Sequence, residues 1–468
     1  MRHNISMYRP SRYNFFVPLN SGSALAYNSR SGSFAVWDET DRDVYGLIES
    51  GADPGRAMAV AGNDRYLHEI LENLLKGSYI TERDADERRG IEQAARILRY
   101  DDSKVTVSIA PTLACNFGCD YCYQSDGARG RAMSGDVQRR VTDFIESRAD
   151  GKSSLAISWY GGEPLLETDI VCSMSSEFVR FCGERNIGYS SMVVTNGYFL
   201  TGDAAKRLLQ AGITNAQVTI DGDRSSHDSR RTLRGGGGTY DRILSNVKEA
   251  VSDENFSVTV RTNMDMRNKD SIGGMLDDLR EEGLCGRKNL SVYFAPVDVC
   301  SNECAGTVSA LVLSLEEYAD AESRASDRAI GLGLRTASLP VRMFSLCQAV
   351  KPDGFVFLPD GDVHKCWNTV SDRSERLGTI YDPDSLDRSP LNELWVSGPL
   401  LSPECGDCGV LANCAGGCAH KSRNDKLSSP CISLKNNIKE QLVQYALSQK
   451  IITRSDLLEG GGRVAVNM

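Results

Sequence analysis

The sequence lacks the features that would direct a protein into a membrane or out of the cell. It has no run of about eighteen apolar residues, which is the length that a membrane-spanning helix needs. The N-terminal stretch MRHNISMYRPSRYNFF has neither the apolar core nor the cleavage site of a signal peptide. We therefore expect a cytoplasmic protein that does not associate with membranes.

The chain also lacks an excess of basic residues. Lys and Arg number 53 and Asp and Glu number 63 among the 468 residues, which gives a net charge of −10. Proteins that bind nucleic acids usually present a basic surface, and this composition offers none. DNA and RNA are therefore not expected as partners.

Cysteine, in contrast, is abundant, with 15 residues in the chain. The cytosol keeps thiols reduced, so clustered cysteines are expected to bind metal rather than to form disulfides. Cys115, Cys119 and Cys122 lie close together in the stretch CNFGCDYC. Each iron of a cubane iron-sulfur cluster takes one protein sulfur, so three thiolates leave one iron open to a small molecule. Three ligands of a zinc knuckle are the alternative for this motif taken alone.

From residue 104 to about 330, short apolar stretches alternate with longer amphipathic ones. This alternation predicts a parallel sheet with helical crossovers, and active sites in such folds lie at the carboxyl ends of the strands. The cysteine motif directly follows the first expected strand. The expected strands are 105–110, 154–160, 189–196, 216–221, 256–263 and 290–296.

Polar or glycine-containing turns follow the next three of these strands. The segment WYGGEP, with Gly161, Gly162 and Glu163, follows the second strand. Thr195-Asn196-Gly197 ends the third strand, and Thr219-Ile220-Asp221-Gly222 ends the fourth. His227, Arg231 and a glycine run at 235–238 come shortly afterwards.

The C-terminal part carries a second group of cysteines. Cys347, Gly361 and Cys366 come first, and Cys405-x2-Cys408-x5-Cys414-x3-Cys418 and Cys431 follow. Metal ligation is expected for cysteines clustered in this way, and two zinc sites are one such arrangement. Cys172, Cys182 and Cys285 lie outside these groups and are expected to be buried apolar residues.

The first cysteine motif, with Tyr121 before its third cysteine, and the Gly-Gly-Glu-Pro segment resemble those of radical S-adenosylmethionine (SAM) enzymes. In that family, three cysteines hold a [4Fe-4S] cluster whose open iron binds SAM, and SAM is cleaved to a 5′-deoxyadenosyl radical. The resemblance implies an α/β fold with a partial (β/α)6 barrel. His227 is equally compatible with a structural role, and the glycine run with a flexible loop. The SAM contacts that the resemblance implies come from Tyr121, Gly161, Gly162, Glu163, Thr195, Asn196, Thr219, Asp221 and Arg231.

The C-terminal cysteines, with Gly361, resemble the SPASM domain, a family extension that carries auxiliary iron-sulfur clusters. By that pattern, Cys405, Cys408, Cys414 and Cys431 hold one [4Fe-4S] cluster, and Cys347, Cys366 and Cys418 belong to another. The resemblance thus implies three [4Fe-4S] clusters in all.

The second auxiliary cluster has an incomplete ligand set. Relatives often carry another cysteine a few residues after the one at Cys347, but the segment between Cys347 and Cys366 has none. An open iron, a fourth ligand from Cys300 or Cys304, and water all remain possible.

Residues 1–95 resemble the winged-helix peptide-recognition element that often precedes peptide-modifying radical SAM domains. Two strands are expected within Ala24–Trp37, helices at 41–50 and 65–75, and a strand near Tyr79. The charged stretch 82–90 is expected to be a linker or the solvated face of a helix. The expected domains are 1–95, the barrel at 96–335, the SPASM domain at 336–445 and a tail at 446–468.

These resemblances imply a maturase that modifies a ribosomally made precursor peptide and takes electrons from a donor such as flavodoxin or ferredoxin. A thioether crosslink is the leading expectation, because an open iron suits a substrate thiolate. Carbon-carbon or other crosslinks, dehydrogenation of a side chain or small alcohol, and a non-enzymatic iron-sulfur scaffold are the alternatives. Sulfatase-maturating relatives carry an Asp directly after the cysteine at Cys366, and Trp367 here argues against that activity.

Overall fold

The computed structural model describes residues 5–124, 130–299, 306, 308–336, 338–341, 343, 346–399, 401–424 and 427–458. Its N-terminal region contains two small antiparallel sheets. β1 (Tyr8–Pro10) pairs with β5 (Ile80–Glu82), whereas β2 (Asn14–Pro18), β3 (Ala24–Asn28) and β4 (Ser33–Trp37) form a three-stranded meander. The helices here are Glu39–Glu49, Pro54–Ala61, Asp64–Lys76 and Glu87–Arg99.

The hairpin, the helices near 41–50 and 65–75 and the strand after Tyr79 are confirmed, whereas β1, β2 and helix Pro54–Ala61 were not predicted. This helix has good end signals: the Asp53 carboxylate accepts from Gly55 N at 2.8 Å, and Pro54 occupies the first turn. Gly62 ends it with φ +76°.

The meander does not stand apart from the rest of the chain. Val17 and Leu25 share an apolar cluster with Ala446, and Tyr27 is fully buried with Leu442. Both partners lie on the C-terminal helix Leu434–Ser448. The N-terminal region therefore packs directly on the C-terminal region.

Six parallel strands lie where the sequence predicts them, which confirms the partial-barrel α/β fold. Alternate residues of the strands are buried against the surrounding helices. The strands are β6 (Lys104–Ile109), β7 (Ser154–Trp159), β8 (Gly188–Thr195), β9 (Asn215–Thr219), β10 (Ser257–Met264) and β11 (Leu290–Pro296). The helices of this part are Gly135–Ala149, Thr168–Arg185, Gly202–Gln210, Arg224–Arg230, Tyr240–Ala250, Ile272–Glu281 and Leu315–Gly331.

The sheet continues beyond the barrel into the cysteine-rich region, which was not predicted. β12 (Phe355–Phe357) pairs in parallel with β6, and β13 (Asp362–His364) and β14 (Gly378–Thr379) add antiparallel strands. The nine strands run in the order β11-β10-β9-β8-β7-β6-β12-β13-β14. The C-terminal helices are Asp384–Asp387, Pro390–Ser397, Leu411–Cys414, Ala419–Ser422 and Leu434–Ser448.

Cys182 is buried in the barrel core, and Cys172 and Cys285 pack against that core while partly exposed. None of the helices in the described ranges is long and apolar enough to cross a membrane.

Candidate functional site

The cysteine loop leaves the carboxyl end of β6 and is docked by backbone hydrogen bonds onto the segment after helix Arg224–Arg230. Gly118 N donates to the Thr232 carbonyl at 2.9 Å, and Arg234 N donates to the Asn116 carbonyl at 2.9 Å. These bonds fix the loop over the edge of the sheet where the strands end.

Two backbone N–H groups of this loop point at cysteine sulfurs. Phe117 N lies 3.4 Å from Cys115 Sγ, and Gln124 N lies 3.4 Å from Cys122 Sγ. Hydrogen bonds to sulfur are one means by which a protein tunes an iron-sulfur cluster. The local geometry is therefore suited to thiolates that bind a cluster.

The surroundings raise the pKa values of two thiols of the loop, Cys115 and Cys119. Burial raises the pKa of Cys119 to about 12, although Arg231 acts in the opposite direction. Burial also raises the pKa of Cys115, and the neighbouring Glu163 and Cys122 add to the effect. Thiolates at these positions therefore need a nearby cation, such as a bound metal.

The Gly-Gly-Glu-Pro turn packs against the backbone of the cysteine loop. A Cβ at Gly161 would lie 2.2 Å from the Thr112 carbonyl oxygen, and one at Gly162 would lie 2.3 Å from the Ala114 carbonyl oxygen. Gly162 N donates to Thr112 O at 3.2 Å. In this structure the two glycines thus allow the two loops to approach each other.

Glu163 connects this turn to the end of β8. Its side chain is fully buried and accepts hydrogen bonds from Leu165 N at 3.0 Å, Thr195 Oγ1 at 2.7 Å and Asn196 N at 2.7 Å. Asn196 Nδ2 in turn donates to Asn116 Oδ1 at 2.8 Å. These four side chains hold neighbouring loops together at the carboxyl edge of the sheet.

A buried charged network lies beside the cysteine loop. Tyr121 donates its hydroxyl hydrogen to Asp221 and accepts from Arg231 Nη1 at 2.6 Å and Asn263 Nδ2 at 3.2 Å. Asp221 is fully buried, accepts from Asn263 N at 2.8 Å and lies 3.8 Å from Arg231 Nη1. No described residue accepts a hydrogen bond from the buried Nε of Arg231, so this cation has capacity for a further acceptor.

A second buried ion pair supports this network. Arg230 Nη1 lies 2.8 Å from Asp265 Oδ1, and the Arg230 guanidinium lies 5.0 Å from the centre of the Tyr121 ring. Sequence analysis did not select Asn263, Arg230 or Asp265. The sequence did carry a signal for two of them, because the polar residues Asn263 and Asp265 lie at the carboxyl end of the fifth strand, where site residues are expected.

His227 has a structural environment, in agreement with the second of its two expected roles. Its ring is fully buried, Nδ1 accepts from Asp221 N at 3.1 Å, and Nε2 lies 3.1 Å from Thr239 Oγ1. Burial lowers its pKa well below the ordinary value, and Arg231 and Arg230 add to this effect. A neutral ring therefore holds the end of β9. Thr219, the last residue of that strand, is also buried.

The C-terminal cysteines form two neighbourhoods. Burial raises the pKa of Cys414 to about 11, and Cys408, Cys431 and Cys405 are close enough to add to this shift. The four thiols that the SPASM pattern assigns to one cluster thus lie near one another.

The turn between Cys414 and Cys418 depends on backbone conformations that favour glycine. Ala415, Gly416 and Gly417 have φ values of 50°, 92° and 77°. A Cβ at Gly417 would lie 2.0 Å from the Pro430 carbonyl oxygen, which accepts from Cys418 N at 3.1 Å. This close approach brings the segment that ends in Cys431 next to the turn.

Cys347 belongs to the other neighbourhood. This residue is exposed and lines a cavity. The surrounding protein nevertheless desolvates its thiol and so raises the thiol pKa, and Cys418 adds to this shift. Cys366 precedes the short helix Trp367–Thr369 and contributes to the raised pKa of Tyr160, for which burial is the largest cause. Cys300 and Cys304 lie outside the described residues.

In the described part of the chain, no three His, Cys, Asp or Glu side chains lie as close as the ligands of one metal ion. Ligands of a cubane cluster are spaced more widely, because each binds a different iron. The ligand assignments and the SAM contacts remain predictions.

Comparison with known proteins identifies the domain. The family model described as "Radical SAM superfamily" matches residues 109–287, which include the cysteine loop and the ends of the next strands. This match confirms the resemblance that the motifs indicate.

Curated relatives cover different parts of the chain. An Fe-coproporphyrin III synthase of Methanosarcina barkeri is 27% identical over 183 residues, or 39% of this chain and 42% of its own length. The mycofactocin maturase MftC of Mycolicibacterium smegmatis is 24% identical over 352 residues, or 70% of this chain and 81% of its own length. The chain spans 42%, 46% and 37% of the first three relatives it matches, less than half of each.

Solved structures share the fold. The protein anSMEcpe with bound AdoMet aligns with a TM-score of 0.55 and 18% identity over 74% of this chain and 98% of its own. SuiB of Streptococcus suis bound to its precursor peptide SuiA aligns with a TM-score of 0.52 and 15% identity over 91% and 99%. At these identities the solved structures show the fold alone, whereas the matched family model and the sequence relatives, which include synthases, maturases and cyclases, indicate an enzyme.

Proposed function

We propose that this enzyme, whose residues 109–287 belong to the radical SAM superfamily, is a maturase that modifies a ribosomally made precursor peptide. The observation that carries the proposal is the three-cysteine loop at the carboxyl edge of the sheet, beside the buried network of Tyr121, Asp221 and Arg231. The maturase MftC among the relatives and the precursor-bound SuiB among the structures support a peptide as the substrate.

The residues at this edge fit an iron-sulfur cluster and SAM. Cys115, Cys119 and Cys122 would hold the cluster, and backbone N–H groups already point at the sulfurs of Cys115 and Cys122. When bound at these residues, the cluster and SAM would supply the radical chemistry that removes hydrogen from the substrate. Arg231, whose Nε has no partner among the residues that the structure describes, would pair with the carboxylate of SAM.

The remaining residues position these groups. Glu163 holds the Gly-Gly-Glu-Pro turn against the end of β8, and Asn196 connects that end to the cysteine loop. Asp221 and Tyr121 orient the Arg231 guanidinium from one side. Glu163, Asn196, Asp221 and Arg231 are buried, which would help to exclude water from the place where a radical would form.

Two auxiliary [4Fe-4S] clusters belong to the same proposal, which makes three clusters in total. The proximity of Cys405, Cys408, Cys414 and Cys431 supports one ligand set, and that of Cys347 and Cys418 supports part of the other. Cys366 would complete its three proposed ligands. We propose an open iron at this second cluster, where a substrate thiolate binds before thioether formation.

The N-terminal region would capture the precursor. Among the described strands, β4 pairs only with β3, so its outer edge is open for a peptide strand. The order of meander and helices supports the winged-helix comparison. Flavodoxin or ferredoxin as electron donor, a cytoplasmic location, and the absence of nucleic-acid and membrane partners are also part of the proposal.

The test is coexpression with the small precursor gene expected beside this one, followed by mass spectrometry of the peptide. A thioether maturase removes two hydrogens from the peptide and consumes one cysteine thiol, which then resists alkylation. Loss of two hydrogens with every thiol still free would favour the carbon-carbon crosslink. An unmodified peptide, in the presence of SAM cleavage, would contradict the peptide-maturase proposal.

A further inference from the structure

Helix Glu87–Arg99, which leads from the N-terminal region into β6, carries one buried face. Its buried residues, Glu87, Ile91, Ala95 and Arg99, recur every four positions, as one side of a helix requires. Two of the four are charged, and they lie at opposite ends of the helix. The two ends differ in how these charges are compensated.

The charge at the first end is fully paired. The Glu87 carboxylate lies 3.0 Å from Arg9 Nη1 and 3.4 Å from Arg30 Nη1, and it accepts from Ser11 Oγ at 2.5 Å. Its side chain is 1% exposed. This end follows the usual rule that a buried charge has a partner of opposite sign.

The charge at the other end has no such partner. Arg99 is 5% exposed, and its Nη1 donates to the Gly398 carbonyl at 2.7 Å. Its Nε is buried without a hydrogen-bond partner, and no Asp or Glu of the described chain forms an ion pair with it. A neutral carbonyl does not balance a buried guanidinium.

Arg99 lines a cavity of about 120 Å³ in the cysteine-rich region. The same cavity is lined by Cys347, Cys414 and Gly417, and Gly417 directly precedes Cys418. The unpaired cation therefore faces a space bordered by proposed cluster ligands. A cluster bound by thiolates is anionic and is the kind of group that the guanidinium lacks.

We infer that Arg99 is the counter-charge of the auxiliary cluster held by Cys347 and Cys418, and that it raises the reduction potential of that cluster. This inference rests on the proposed function, since it requires the auxiliary cluster. A positive charge beside the cluster stabilises the reduced form, which carries one more electron, over the oxidised form. The helix after the peptide-recognition region thereby sets a property of the C-terminal cofactor.

The test uses the full chain with Cys115, Cys119 and Cys122 changed to Ala, so that only the auxiliary clusters contribute. After anaerobic reconstitution, iron content is measured, and a redox titration is followed by electron paramagnetic resonance. In this background, Arg99→Gln and Arg99→Met should shift one of the two auxiliary potentials to more negative values. Arg99→Lys should stay near the parent, and Arg96→Gln, an exposed charge on the same helix, should change nothing.

Each outcome decides one question. Unchanged potentials in both charge-free variants, with clusters present, would overturn the role of Arg99. Both variants could instead lose the iron of one cluster, while their iron-free forms unfold at the same temperature as the iron-free parent. That result would support the role of Arg99. Unfolding of both variants even without iron would overturn it, because Arg99 would then serve the fold. A parent protein without auxiliary iron would instead contradict the proposed function.

Discussion

Tyr160 and Trp367 stack with ring centroids 4.6 Å apart and planes inclined by 20°. Tyr160 follows β7 in the barrel, and Trp367 follows Cys366 in the cysteine-rich region. The Tyr160 hydroxyl donates to the Trp367 carbonyl at 3.3 Å, and the indole donates to Ser108 Oγ at 2.8 Å. This pair connects the two proposed cofactor regions through rigid aromatic packing.

Trp367→Ala should loosen that connection. The variant loses the stack, the buried ring area and the bond to Ser108, and we expect the free energy of unfolding to fall by about 2–4 kcal/mol. Trp367→Phe keeps an aromatic ring but loses the indole hydrogen bond, which should lower the free energy of unfolding by about 1 kcal/mol. Denaturant titration of iron-free protein measures both, and equal losses would show that the stack contributes nothing.

Asp221→Asn should destabilise the buried network. The change leaves Arg231 without its carboxylate, and breaking a buried ion pair costs about 3–5 kcal/mol. SAM cleavage should fall with it, because the guanidinium loses its orientation. The matched control is Asp241→Asn, at an exposed pair with Arg224, which should cost less than about 1 kcal/mol. Similar losses in both variants would contradict the buried-network interpretation.

Cluster content follows from the proposed ligands. Anaerobically reconstituted protein should hold about twelve irons, and changing Cys115, Cys119 and Cys122 to Ala should remove about four of them. SAM cleavage should be abolished while the auxiliary signals remain. Stoichiometric zinc in strictly anaerobic preparations would overturn the assignment.

His227 should make the stability of the protein depend on pH. Its pKa is lowered in the folded state by burial, so below about pH 6.5 the unfolded chain binds a proton that the folded chain does not. The free energy of unfolding should therefore fall as the pH is lowered from about 6.5. His227→Asn, which can still accept from Asp221 N, should show a shallower decline. Parallel pH profiles of the two proteins would refute this.

The proposed peptide edge can be tested without deleting the N-terminal region. Deletion would uncover the apolar face of helix Leu434–Ser448, so its effect would not be specific. Val36→Asp instead places a charge on β4, at a residue that is 46% exposed. We expect weaker precursor binding with unchanged SAM cleavage. Val60→Asp, at a similarly exposed helical residue, should have no effect, and equal binding by all three proteins would exclude this edge.

Local patterns in the sequence predicted the barrel well. Each of the six strands is an apolar run, and the cysteine motif and the Gly-Gly-Glu-Pro turn follow β6 and β7 as expected. β12 could not be predicted as a partner of β6, because the pairing of Phe355 with Val107 joins residues far apart in the chain. Helix Pro54–Ala61 was missed although Asp53 and Pro54 mark its start, since only a short apolar stretch follows them.

The network around Asp221 shows the same limit. Tyr121, Asp221 and Arg231 were selected by resemblance, but their mutual bonds depend on loops that meet only in the folded chain. The glycines were expected to admit SAM, and the structure shows that they admit the cysteine loop. Close approach of two backbones cannot be inferred from either segment alone.

The ladder between β6 and β12 has a consequence for how this chain tolerates change. Cys115 follows β6 by a few residues, and Cys366 follows β12 by a similar stretch that includes β13. The distance between the two proposed redox regions is thus determined by the pairing of adjacent strands and not by the length of the chain that connects them. An insertion between helix Leu315–Gly331, whose apolar face packs on the barrel core, and Cys347 should therefore leave this distance unchanged.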